Sequence, residues 1–117
     1  MNISSRGLDL IKEFEGFRSD AYYDAVGVLT IGYGTTNADS SIIGQRIYPG
    51  MSITKKTATA WLEKSVNYKY VPLVMKYDST YHWNQNQLDV LTSFAYNIGS
   101  IDQLTANGSR SIAEIRE

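Results

Sequence analysis

Apolar residues recur at helical spacing in three stretches of the chain. In the first, Leu8, Ile11 and then Glu15 fall at i, i+3 and i+7 on one face. Ser4 or Ser5 stands before it as an N-cap and Gly16 follows as a left-handed stop, so a helix is predicted over about 6–15. The second stretch starts at Lys55 behind the cap Thr54, with Ala58, Trp61, Leu62, Ser65 and Val66 turned inward. Pro72 must break or kink it, because proline lacks the N–H and its ring clashes with the preceding turn. The third opens at Asn84, which forms a capping box with Gln87, carries the stripe Leu88, Leu91, Ala95 and Ile98, and stops at Gly99. Between the first two helices the period drops to two. Tyr22-Tyr23 reads as a short strand, 24–27 as a turn and 28–34 as a second strand. Leu29, Ile31 and Tyr33 form its core side; Val28, Thr30, Gly32 and Gly34 form the other, which is nearly bare beyond Thr30 and should leave room above it. Residues 35–50 are polar and expected to be irregular. Near the end, Asn107-Gly108 reads as a turn and Ser111 with Glu114 as another capping box. Ile112 and Ile115 there begin an apolar face that has hardly started at Glu117, so this element is expected to be cut short.

These elements predict an α+β fold, one domain over 1–117: a small β-hairpin lobe plus a mostly helical lobe with a cleft between them. The chain's 43% apolar and 20% charged residues fit a globular domain of 117 residues. The net charge of −1 gives no reason to expect nucleic acid as a partner. Lys55, Lys56, Lys64 and Lys69 make the middle basic, as a solvated helix face or a docking patch. The absence of cysteine removes disulfides and thiolate chemistry, and the single histidine, His82, argues against a zinc enzyme; no metal or cofactor is implied. No apolar run approaches membrane-spanning length, so no membrane insertion is expected. The first six residues have no apolar signal-peptide region either.

Three residues stand out for chemistry. Glu15 shares a face with Leu8 and Ile11 and sits at the carbonyl end of its helix. Both circumstances disfavour the anion and raise the pKa, as a general acid needs. The spacing equally allows Glu15 to reach out to solvent. Asp24 lies in the turn before the strand that carries Thr30; alone it reads as an Asx turn, and Thr30 alone as a plain strand residue. Together they offer two carboxyl groups and a hydroxyl beside glycine-cleared space, which is what cleaving a glycosidic bond requires.

The stretches Leu10-Ile11-Lys12-Glu13-Phe14-Glu15-Gly16, Ala21-Tyr22-Tyr23-Asp24 and Gly27-Val28-Leu29-Thr30-Ile31-Gly32-Tyr33-Gly34 resemble the phage-type lysozyme (endolysin) family. Gly50-Met51-Ser52-Ile53-Thr54 and Ser93-Phe94-Ala95-Tyr96-Asn97-Ile98-Gly99 extend the resemblance. It implies Glu15, Asp24 and Thr30 as catalytic residues and bacterial peptidoglycan glycan strands as substrate. It further implies synthesis in a bacterial host's cytoplasm and action on the cell wall after release. Tyr22, Gly32, Tyr33 and Tyr96 are candidate substrate contacts, with packing the competing role for the tyrosines. Two departures stand out: Thr35 occupies the place of a family histidine, and the family's further helices, with an Ala-Gly-Gly-Lys-like segment and a basic run, do not follow. A non-catalytic wall-binding module of the same fold, or a chitinase using the same site, are the competing readings.

Overall fold

Helix α1 (Ser5–Glu15) starts where the Ser4 hydroxyl accepts the Gly7 N–H at 3.4 Å. It stops where Gly16 turns left-handed at φ 67°. These are the two ends the pattern predicts. Leu8 and Ile11 are buried, whereas Glu15, one turn on, is exposed. The computed structural model describes residues 1–98. The expectations for Gly99, Asn107-Gly108, Ser111 with Glu114, Ile112 and Ile115 therefore lie outside the described residues.

The expected hairpin is a three-stranded antiparallel sheet, β1 (Arg18–Tyr23), β2 (Leu29–Gly32) and β3 (Thr35–Thr36), in that order. β1 begins four residues before the predicted strand because its early part has a partner far along the chain. Ala21 N–H donates to the Met51 carbonyl at 2.8 Å, and Ile53 N–H to that of Ser19 at 2.9 Å. β2 ends at Gly32, where a φ of 67° takes the backbone out of the strand, so Tyr33 and Gly34 belong to a turn. The segment expected to be irregular holds β3, a 3-10 turn (Asn37–Asp39) and helix α2 (Ser40–Ile43). The Asn37 amide acts there as a surrogate strand partner: its oxygen accepts the Ile47 N–H at 2.7 Å and its nitrogen donates to the Ile47 carbonyl at 3.0 Å. This pins Ile47 into a core of Ile31, Ile43, Met51 and Trp61, with Ala21, Leu29 and Ile53 at its edge.

Trp61 comes from helix α3 (Lys55–Ser65), whose buried residues Ala58, Trp61, Leu62 and Ser65 are those the periodicity assigns. The Thr54 hydroxyl accepts the Thr57 N–H at 3.2 Å, as a cap should. The break required by Pro72 is drawn out. A π-helical turn (Val66–Tyr70) precedes helix α4 (Val71–Met75), and Pro72 sits in the first turn of α4, where no N–H is needed. After the short helix α5 (Asp78–Tyr81), helix α6 (Gln85–Ile98) opens on a reciprocal capping box. Asn84 N–H donates to the Gln87 side-chain oxygen at 3.0 Å, and Gln87 N–H to that of Asn84 at 2.9 Å. Leu88, Leu91 and Ala95 are fully buried.

By contact the described residues divide into two units: Met1–Ile11 with residues 66–98, and Lys12–Ser65. In the helical unit a buried carboxylate, Asp89 of α6, receives the Ser4 N–H at 3.0 Å, the Ser4 hydroxyl and the Gln85 amide at 2.9 Å. The start of α1 lies so close that a Cβ on Gly7 would fall 2.5 Å from Ile3 Cγ1 and 2.7 Å from Asp89 Oδ1. The sheet unit holds β1 to β3, α2 and α3.

Candidate active site

Glu15, Asp24 and Thr30 all belong to the sheet unit. The left-handed turn at Gly16 sends the chain from Glu15 through Phe17 into β1. There Arg18 pairs with Gly32, and Tyr22 with Thr30. The strand leaving Glu15 is thus the one that borders Thr30. A shift in register between Arg18 and Tyr22 frees the intervening residues to meet Ser52, which bridges Asp20 and donates its hydroxyl to that carboxylate.

At the other end of the hairpin, Asp24 and Thr30 are tied together through Val28. Asp24 Oδ1 accepts the N–H of Val26 at 2.9 Å and of Val28 at 2.8 Å. The Asp24 N–H and the Thr30 hydroxyl both donate to the Val28 carbonyl, each at 2.9 Å. The Asx turn and a chemical role therefore do not compete for the same atom: Oδ1 holds the turn and Oδ2 is the oxygen left for other work. Glu15 is exposed as a residue, yet partial desolvation of its carboxyl raises its pKa above the ordinary 4.5. The carbonyl end of α1 acts in the same direction. A carboxyl that holds its proton above the usual range can donate it.

The face of β2 expected to be open is partly filled. A Cβ on Gly32 would lie 3.0 Å from Ala58 Cβ and 3.2 Å from Ile53 Cδ1, so α3 occupies that space. Thr30 is only 4% exposed. Tyr22, opposite Thr30, is half-buried, and the Arg18 guanidinium lies 4.1 Å over its ring. Tyr33 is buried with its ring 5.5 Å from that of Phe17 and the Lys12 ammonium above it, a packing arrangement. Tyr96 belongs to the helical unit, edge-on to Tyr70 at 5.0 Å. Thr35 is 3% exposed and pairs with Ile31. Among the described residues no group of three or more His, Asp or Glu side chains is placed to hold a metal ion. Arg18 opens β1, ahead of the strand that the alternating pattern predicts at Tyr22.

The phage lysozyme family model matches residues 12–116. This chain belongs to the phage lysozyme family. It is 38% identical over 103 residues to the endolysin of Lactococcus phage c2, covering 86% of this chain and 41% of that protein. With the endolysin of Salmonella phage P22 it shares 36% identity over 107 residues, covering 85% of this chain and 64% of that protein. The chain thus spans less than two thirds of either relative. Among solved structures it resembles the endolysin from Escherichia coli O157:H7 phage FAHEc1, at 37% identity and a TM-score of 0.76 over 98% of this chain and 74% of that one. The muramidase domain of SpmX from Asticaccaulis excentricus is similar at 29% identity and a TM-score of 0.65, covering 97% of this chain and 76% of that one. The α+β fold is lysozyme-like. No described helix is long and apolar enough to cross a membrane.

Proposed function

We propose that this chain is the lysozyme-like catalytic domain of a peptidoglycan hydrolase. It cuts the β-1,4 bond between N-acetylmuramic acid and N-acetylglucosamine and so lyses bacterial cells. The observation that carries this reading is the raised pKa of Glu15 at the end of α1, in the unit that also holds the Asp24–Val28–Thr30 lock. Glu15 protonates the departing glycosidic oxygen. Asp24 Oδ2 stabilises positive charge at the sugar carbon or positions a water, and Thr30, whose proton is committed to Val28, accepts a hydrogen bond from that water. The names of the relatives support an endolysin's setting: synthesis in the bacterial cytoplasm and action on the wall after release.

Glu15→Gln tests it. Turbidity clearing of purified walls should fall by about a thousandfold, within the range that general acids contribute, while the circular dichroism spectrum stays unchanged. Undiminished clearing by the folded variant would overturn the assignment of Glu15. Wall binding by wild type without any clearing would favour the non-catalytic module, and release of reducing ends from chitin alone would move the substrate to chitin.

A further inference from the structure

We propose that Arg18, held over the Tyr22 ring, binds substrate carboxylates and so distinguishes muramyl glycan and its acidic stem peptides from uncharged N-acetylglucosamine polymers. The inference rests on the reading of the chain as a peptidoglycan hydrolase. Its first support is position. Tyr22 lies directly opposite Thr30, so their side chains share one face of the sheet. Arg18, opposite Gly32 and in contact with the Tyr22 ring, is on that face too. The second support is the state of the guanidinium. Its central carbon lies 4.1 Å over the ring centroid, a distance at which a guanidinium packs on the ring while its N–H groups can still serve another partner. Arg18 is exposed. The Asp20 carboxylate, two residues along the strand, accepts the Ser52 hydroxyl at one of its oxygens.

The third support is chemical fit. A guanidinium held by an aromatic ring presents a planar fork that matches a carboxylate through two parallel hydrogen bonds. A side chain that already rests on a ring loses less rotamer freedom on binding. A neutral glycan offers this fork no anion, so the gain belongs only to carboxylate-bearing strands.

Sedimentation with purified wall particles measures binding without turnover. The full chain is compared as wild type, Arg18→Gln and Arg18→Lys, on untreated walls, on walls whose carboxyls have been amidated, and on chitin particles. Wild type should bind untreated walls about tenfold more tightly than amidated ones, as one charged pair allows. Arg18→Gln should bind both walls equally weakly, Arg18→Lys should lie between, and chitin binding should be the same for all three. Equal binding of wild type and Arg18→Gln to untreated walls, no wall binding by wild type, or a parallel loss on chitin would overturn the proposal. Turbidity clearing is read separately. Clearing by wild type with an indifferent Arg18 sinks this inference alone; carboxylate-dependent binding without clearing sinks only the hydrolase reading.

Discussion

The two units hold their shape by different means. In the helical unit the interior is apolar along Leu88, Leu91 and Ala95, and the buried Asp89 holds Ser4, the residue that caps α1. In the sheet unit the polar work is spread out. Asp24, Asn37 and Asp20 each tie one turn or edge, mostly near solvent, and left-handed glycines set where strands and helices end. A unit organised around one buried charge should be fragile at a single point. A unit with many small ties should yield at the places where backbone conformation and packing coincide. The candidate site residues Glu15, Asp24 and Thr30 lie in the second kind of unit, where side chains already fixed by turns can present a spare oxygen or N–H.

Asp89→Ala is the largest expected break. It takes from the half-buried Ser4 N–H and hydroxyl, and from the Gln85 amide, the carboxylate they share, and leaves the hole of a buried side chain. The cost should be about 3–4 kcal/mol, in line with breaking one side of a buried charged network. Urea unfolding checks it. A loss under about 1 kcal/mol would mean that Asp89 is not the organising group and that the contrast with the sheet unit fails.

Gly32→Ala should be the weak point of the sheet unit. A non-glycine residue at φ 67° costs roughly 1–2 kcal/mol, and the added methyl presses on Ala58 and Ile53 for about 1 kcal/mol more. A total of about 2–3 kcal/mol in the same urea titration is therefore expected. A cost below about 1 kcal/mol would show that α3 can give way, which would restore the open face above β2 that the alternating pattern suggests.

The contrast also explains what was legible in the sequence. Helical stripes bury themselves against whatever is near, so α1, α3 and α6 follow from local spacing, and the box of Asn84 and Gln87 needs only four residues to be recognised. The sheet unit depends on partners far apart in sequence. The early part of β1 is fixed by Met51 and Ile53, and Ile47 reaches the core through the Asn37 amide, so neither shows a period. β3 is two residues long, too short for any alternation. Glu15, Asp24 and Thr30 are candidates because their motifs resemble a family, while spacing alone leaves each with an ordinary structural role. Desolvation of the Glu15 carboxyl is a property of the fold that the spacing only half predicted: the residue is exposed instead of core-facing, yet its pKa moves in the expected direction.

The smallest expected effect concerns that carboxyl and sets it apart from Asp89, which is surrounded by donors. The folded pKa of Glu15 lies above its ordinary value of 4.5 because partial desolvation penalises the anion. Below 4.5 the folded and unfolded chains both keep the proton, and Glu15 costs nothing. As pH rises from there through the folded pKa, the unfolded chain ionises first and stability is lost; above the folded pKa the loss levels off. Glutamine keeps the shape and does not titrate. The stability of Glu15→Gln relative to wild type should therefore increase across that window and then stay constant. The exposure of the residue means that water screens the charge, so the gain should be smaller than either cost above. Urea melts of both proteins at about pH 4 and about pH 7 measure it as a difference of differences, free of the other titrating groups they share. A relative stability that is the same at both pH values would mean that the Glu15 carboxyl is as well solvated when folded as when unfolded. The preparation for proton donation would then have to come from bound substrate instead of from the fold.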